Sequence, residues 1–228
     1  MDHEIAHRPS FATAEISLEA GEEVLAESGA MVSYGDGIEM ETNATGGFLK
    51  SLQRGLFGGE SFFQNTFTAS EAGSVTFAPP LPGDVVHHEL DADTVYVQSG
   101  SYIASDTALE VDTEFGGAKT FFGSEGLFLL RIEGSGPLFM SSYGAIEEVD
   151  LDPDETYTID TGHIVAFEDT ADFAVRRVGG LKSTLLSGEG LVAEFSGEGH
   201  VWLQTRSQDS FLAWLIPQLP TGNSSGST

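Results

Sequence analysis

The stretch Ile38–Thr42, IEMET, alternates strictly: Ile38, Met40 and Thr42 fall on one side, Glu39 and Glu41 on the other. LEVDTEF repeats the pattern with Leu109, Val111 and Thr113. A period of two marks a strand with one covered face. TVYVQSGSYIAS sets β-branched and aromatic residues around Gly100. Two runs depart from alternation. SFFQNTF and GLFLLRI carry large apolar groups on both faces; in the second, Leu127 and Leu129 alternate with Phe128, Leu130 and Ile132. A strand apolar on both faces is buried on both. Such a strand is expected to meet its own core on one side and a neighbouring core on the other. Short strands bounded by Gly, Asp and Ser predict an all-β chain of sandwich or barrel type. Near the C-terminus, SFLAWLIPQLP is amphipathic and predicts a helix of about two turns stopped by Pro217. The final TGNSSGST reads as a disordered tail.

The pattern recurs. AESGAMVSYGDGIEMET, VQSGSYIASDTALEVDT and IDTGHIVAFEDTADFAV align on a Ser/Thr-Gly step. Each is followed by a Gly pair (Gly46-Gly47, Gly116-Gly117, Gly179-Gly180), then a lysine (Lys50, Lys119, Lys182), then a glutamate (Glu60, Glu125, Glu189). An apolar strand and a closing strand complete each copy. A fixed internal period means stacked structural units. The predicted organisation is a flexible N-terminus over 1–10, β units over 11–86, 87–148 and 149–207, and a C-terminal amphipathic segment and tail over 208–228. FLKSLQRGLFGG makes the first copy longer and predicts a short helical or mobile turn. No Pro/Ser-rich linker separates the copies, so the units are expected to pack together.

Composition adds a habitat to this picture. Aspartate and glutamate number 36 against 9 lysines and arginines, a net charge of −27. Sixteen phenylalanines argue against an acidic disordered chain. The alternative is a folded protein with an acidic surface, as in organisms with molar cytosolic salt, where screening removes most self-repulsion. Such a charge disfavours nucleic acid and anionic membranes as partners. With no cysteine, disulfides and thiolate chemistry are excluded. The N-terminus lacks signal-peptide character and no apolar run approaches a membrane span, so a cytoplasmic protein is expected.

Candidate chemistry is sparse. VVHHEL holds the one His cluster, and adjacent strand residues point to opposite faces, so His87 and His88 are poorly placed to share a metal. His3 and His7 are four apart near a terminus expected to fray. No nucleophile elbow, Walker loop, dinucleotide fingerprint or zincin motif is present. No catalytic residue, cofactor or metal site is expected. That leaves Lys50, Lys119 and Lys182 with Glu60, Glu125 and Glu189. The simpler reading is a Lys–Glu pair pinning the same turn in each copy. The sharper one is a ring of three lysines that binds an anion.

The motifs GAMVSYGDGIEMET, GESFFQNTFTA, PGDV, SGSYIAS, GGAKTFFGSEGLFLLRIEGSGPLFMSSYGAI, DTGHIVAFE, GGLKSTLLSGEGLV and VWLQTRS resemble, in order over about residues 20–207, the altered-inheritance-of-mitochondria-24 family. The resemblance implies three tandem β-sandwich modules like that of the tryptophan RNA-binding attenuator protein (TRAP-like), in pseudo-threefold order. It also implies a role in organising membrane-associated complexes in mitochondria, and no settled activity for prokaryotic members. Fold does not carry function, so TRAP-like form does not import RNA or tryptophan binding. Two functional readings follow. One is a non-enzymatic scaffold or interaction protein with an unknown protein partner or self-association. The other is a metabolite- or anion-binding protein with a site between the β units, lined by aromatics such as Phe62, Phe128 and Phe195.

Overall fold

Period-two stretches become strands, and every strand pair among the described residues is antiparallel. The structure, a computed structural model, describes residues 1–42, 64–112, 128–177 and 191–219. Its strands are β1 (Asp2–Ala6), β2 (Thr13–Leu18), β3 (Glu23–Glu27), β4 (Met31–Tyr34), β5 (Ile38–Thr42), β6 (Gln64–Ala69) and β7 (Gly73–Phe77). There follow β8 (Val85–Gln98), β9 (Tyr102–Asp106), β10 (Glu110–Asp112) and β11 (Leu129–Ser141). The last group is β12 (Ile146–Leu151), β13 (Thr156–Asp160), β14 (Ile164–Glu168), β15 (Ala171–Arg177), β16 (Leu191–Gly197) and β17 (Gly199–Gln204). One short helix, α1 (Gln208–Leu215), follows them and runs into a single 3-10 turn containing Pro217.

These strands make several sheets. A four-stranded sheet runs β1-β2-β7-β4, a three-stranded one β13-β16-β15. The largest runs β12-β17-β14-β8-β11-β9-β3-β6-β5, with β10 beside β11. One pairing scheme recurs within them. The ladders β2-β7-β4 and β3-β6-β5 reappear as β12-β17-β14 and β13-β16-β15. Between them, β8 and β11 are each one long strand that serves both ladders. The first half of β8 pairs the second half of β11, which also pairs β9. The second half of β8 pairs the first half of β11, which also pairs β10. β11 changes register between Gly134 and Ser135, and β8 turns opposite it at Ala92, whose φ is 60°. A bulge of this kind bends a strand so that its halves enter different sheets.

Buried apolar side chains gather in three clusters. Neighbouring residues of β11 part between two of them: Leu129 joins Phe167 and Phe195, while Leu130 and Ile132 join Val97 and Trp202. The first cluster, around Phe67 and Phe77, also takes Ile103 and Ala104 from β9.

Two local expectations fail. The N-terminus is a strand, not a loose end: Asp2–Ala6 pairs residue for residue with β2, and Met1 and Ile5 pack on the first cluster. The free edge of β2 supplies backbone partners that polar DHEIA does not advertise. The IEMET stretch is one-sided only at Ile38, because β5 ends its sheet and leaves Met40 exposed.

Candidate functional site

Three short motifs far apart in sequence, SSYG (141–144), DTGH (160–163) and QTRS (204–207), meet at one end of the molecule. The buried amide of Gln204 bolts them together: its Nε2 donates to Gly162 O at 2.9 Å and its Oε1 accepts from Tyr143 N at 2.8 Å. Thr205 closes a second link, its Oγ1 accepting from Ala145 N at 3.0 Å and its N–H donating to Ala145 O at 3.0 Å. DTGH forms a 3-10 turn capped by the Asp160 carboxylate, which accepts from Gly162 N at 2.9 Å. Ser207 then caps α1, accepting from Ser210 N at 3.4 Å. A Cβ on Gly162 would sit 2.8 Å from Ser207 Oγ, so a larger residue there would displace the hydroxyl that caps α1.

Between these elements lies a groove of about 340 Å³, lined by Tyr143, His163, Arg206, Ser210, Phe211 and Trp214. Its rings form a wall: Tyr143 and Phe211 meet edge to face at 6.0 Å, and Phe211 and Trp214 lie 6.2 Å apart. His163 Nδ1 lies 2.7 Å from Gln204 O. A carbonyl only accepts, so Nδ1 carries the hydrogen and Nε2 is left for other partners. Arg206 is the unusual member. Arg8, Arg131 and Arg176 each meet a carboxylate, from Asp84, Glu133 and Glu194. Arg206 meets none among the described residues; its Nη1 donates only to Thr205 O at 2.9 Å. The groove thus combines an uncommitted guanidinium with aromatic faces, a combination suited to an anion carrying a flat or apolar body.

A second, larger crevice of about 620 Å³ is lined by Asp150, Glu168, Thr170, Glu198 and His200. His200 Nδ1 pairs with Asp150, and the His200 backbone N–H donates to Glu168 Oε2 at 3.0 Å. No group of three or more His, Asp or Glu side chains is placed to hold a metal among the described residues.

Lys50, Lys119, Lys182, Glu60, Glu125 and Glu189 lie outside the described residues, as do the Gly pairs and Phe62. Phe195 is wholly buried among apolar neighbours, and Phe128 is half-buried beside the second cluster, so both pack the core. His87 and His88 do point apart. His87 lies tilted against the rings of His3 and Phe139 and reaches Glu89 Oε2 at 3.2 Å. His88 packs on Trp202, 4.9 Å between rings. Burial pushes both imidazoles below their usual range; His3 adds to the effect at His87, and Glu168 partly offsets it at His88. Sequence reasoning passed over Arg206. The signal available was its type: one of only nine basic residues in an acidic chain.

A family model described as Mitochondrial biogenesis AIM24 matches residues 3–206. The chain is 29% identical over 221 residues to an uncharacterised protein of Streptococcus pyogenes serotype M6, spanning 93% of this chain and 89% of that one. It is similar to the crystal structure of a Streptococcus pyogenes protein, with a TM-score of 0.81, 29% identity, and coverage of 96% of this chain and 99% of that chain. No helix among the described residues is long and apolar enough to cross a membrane.

Proposed function

Since this chain belongs to the Mitochondrial biogenesis AIM24 family, we propose that it is a non-enzymatic scaffold built of three TRAP-like β units joined in series. One observation carries the reading: the same pair of ladders occurs three times along the chain. Successive copies are joined by strand pairing, β3 to β9 and β8 to β14. A chain that joins its units through sheet edges and shared cores makes a broad, stiff surface rather than a hinged cleft. The family resemblance supports a role in holding other chains together.

The test is in-cell cross-linking of the full chain. Its 36 carboxylates make an acid-reactive linker the right reagent. The scaffold reading expects reproducible links to chains of other sequence. A chain recovered with no foreign partner, or one that turns over a metabolite, would overturn it.

The groove at Arg206 favours a second reading, a protein that binds an anionic small molecule. A ligand that binds the folded state raises apparent stability by about 2.7 kcal/mol at a hundredfold excess over Kd. A thermal-shift screen of anionic aromatic metabolites should then find a stabiliser whose effect disappears in Arg206→Gln. An empty screen leaves the scaffold reading standing alone.

A further inference from the structure

The two joins between successive copies use the same register. At the first, Ala26, Leu25 and Val24 of β3 face Ala104, Ser105 and Asp106 of β9. At the second, Val97, Tyr96 and Val95 of β8 face Ala166, Phe167 and Glu168 of β14. Counted from the shared Ser/Thr-Gly step at Gly29, Gly100 and Gly162, these are the same positions in each copy. The third member of each set is β13 on the giving side and β4 on the receiving side. Among the described residues neither is joined: β13 and β4 each end a sheet.

Burial marks β4 as a receiving edge left open. β9 and β14 are buried at their first four residues, whereas Val32, Ser33 and Tyr34 of β4 are exposed. Val32 is 57% exposed, although its counterparts Ile103 and Val165 are 0% exposed. Tyr34 is 46% exposed. A sheet edge with exposed apolar side chains is a template for another strand. The strand that fits it has the register and chemistry of β13.

From this we infer that β4 of one molecule pairs with β13 of a second copy of the same chain, extending the series of units head to tail. The inference rests on the three-unit reading above. The internal register sets the expected contacts: Ile159 opposite Ser33, Thr158 opposite Tyr34 and Tyr157 opposite Gly35. The interface is heterologous, so it closes into a ring or continues as a filament according to the rotation per step. Val32 would gain the burial that Ile103 and Val165 already have. Both edges lie in an acidic chain, so association strengthens as salt screens the repulsion.

The chain has no cysteine, which makes a disulfide test clean. Facing residues of an antiparallel pair are within disulfide reach. Tyr34→Cys and Thr158→Cys are prepared as separate single variants and oxidised alone and mixed, at low salt and at about 2 M KCl. The expected result is a linked dimer in the mixture, at least about tenfold above either variant alone, and a ladder of linked oligomers from the double variant. No link in the mixture at either salt overturns the proposal. So does an intramolecular link in the double variant, because the edges would then meet within one chain. Sedimentation of the unmodified chain should show oligomers that Val32→Lys reduces without lowering Tm; a wild-type monomer at both salts also overturns it. Leu25→Cys with Ser105→Cys is the control, expected to link within one chain. Its failure would count against the three-unit reading instead.

Discussion

Arg8 grips Asp84 with two parallel bonds, Nε to Oδ1 at 2.7 Å and Nη2 to Oδ2 at 2.9 Å. The Asp84 residue is 2% exposed, while the arginine remains half in solvent. The carboxylate also accepts from Val85 N at 2.9 Å, and its backbone joins Ser142 and Gly144. The pair therefore ties the N-terminal segment to the start of β8. The hydrogen bond to Asp84 raises the Arg8 pKa, and burial offsets part of that rise.

Arg8→Met should consequently be costly. It leaves a buried charge with one backbone donor, and stranding such a charge costs about 2–4 kcal/mol when its partner was partly solvated. Arg176→Met breaks a pair whose Glu194 is partly open to solvent, and should cost less than about 1 kcal/mol. Urea unfolding at pH 7 compares the two. Equal midpoints would contradict the structural role given to Asp84.

The two β8 imidazoles predict a pH dependence. Both have folded pKa values below the unfolded one, chiefly through burial. The unfolded chain then binds more protons, so stability is fully present above about pH 6.5 and falls as pH drops through the folded values. His88 also feels Glu168, His200, Asp93 and Glu148, and His87 feels His3 and Glu89. His88→Gln should flatten the loss between about pH 6.5 and 5, a window above most carboxylate titration. An unchanged slope would show that His88 does not titrate on folding.

How far such features could be read in advance depends on whether their cause is local. The division of Leu129 from Leu130 between two cores was legible, since a strand apolar on both faces has few other solutions. The strand β1 was not, because DHEIA owes its conformation to the open edge of β2. The groove was hidden for a related reason. Tyr143, His163 and Arg206 are brought together by the side chain of Gln204 and by backbone bonds such as Arg206 N to Tyr143 O at 3.2 Å, and an amide that bolts two turns together looks like any surface glutamine in sequence. The exposure of Val32 was hidden too: MVSY, YIAS and IVAF are similar strands, and only their neighbours differ.

The net charge predicts a salt response. With a net charge of −27, repulsion between carboxylates should weaken the fold at low ionic strength. At about 1 M KCl the Debye length falls to roughly 3 Å and most of that repulsion is screened. Tm should rise steadily from low to molar KCl. A flat or falling curve would remove the case for a high-salt habitat. Under the same molar salt, generic RNA should show no binding in a filter or polarisation assay, because phosphate contacts weaken steeply with salt. Micromolar RNA binding there would overturn that expectation.

Gly83 offers the sharpest steric prediction. It forms a parallel bridge to Gly144 in the PGDV segment, and a Cβ at that position would lie 1.6 Å from Ser142 O and 2.7 Å from its carbonyl carbon. Both are backbone atoms in a lattice of short bonds: Asp84 N to Gly144 O at 3.0 Å, Ser142 N to Asp84 O at 3.1 Å, and Gly144 N to Pro82 O at 3.0 Å. No side-chain rotation relieves the clash, so the 82–85 segment or the 142–144 turn must move. Either movement disturbs the Arg8–Asp84 pair and, through Tyr143, the groove. Gly83→Ala should cost about 3 kcal/mol or more, well above an ordinary surface change. Gly29→Ala is the comparison. Its φ of 98° strains any side chain, but nothing lies within 4 Å of the added carbon, so its cost should stay near about 1 kcal/mol. Thermal unfolding of both variants checks the order. A Gly83→Ala protein as stable as Gly29→Ala would contradict the close backbone approach at Ser142.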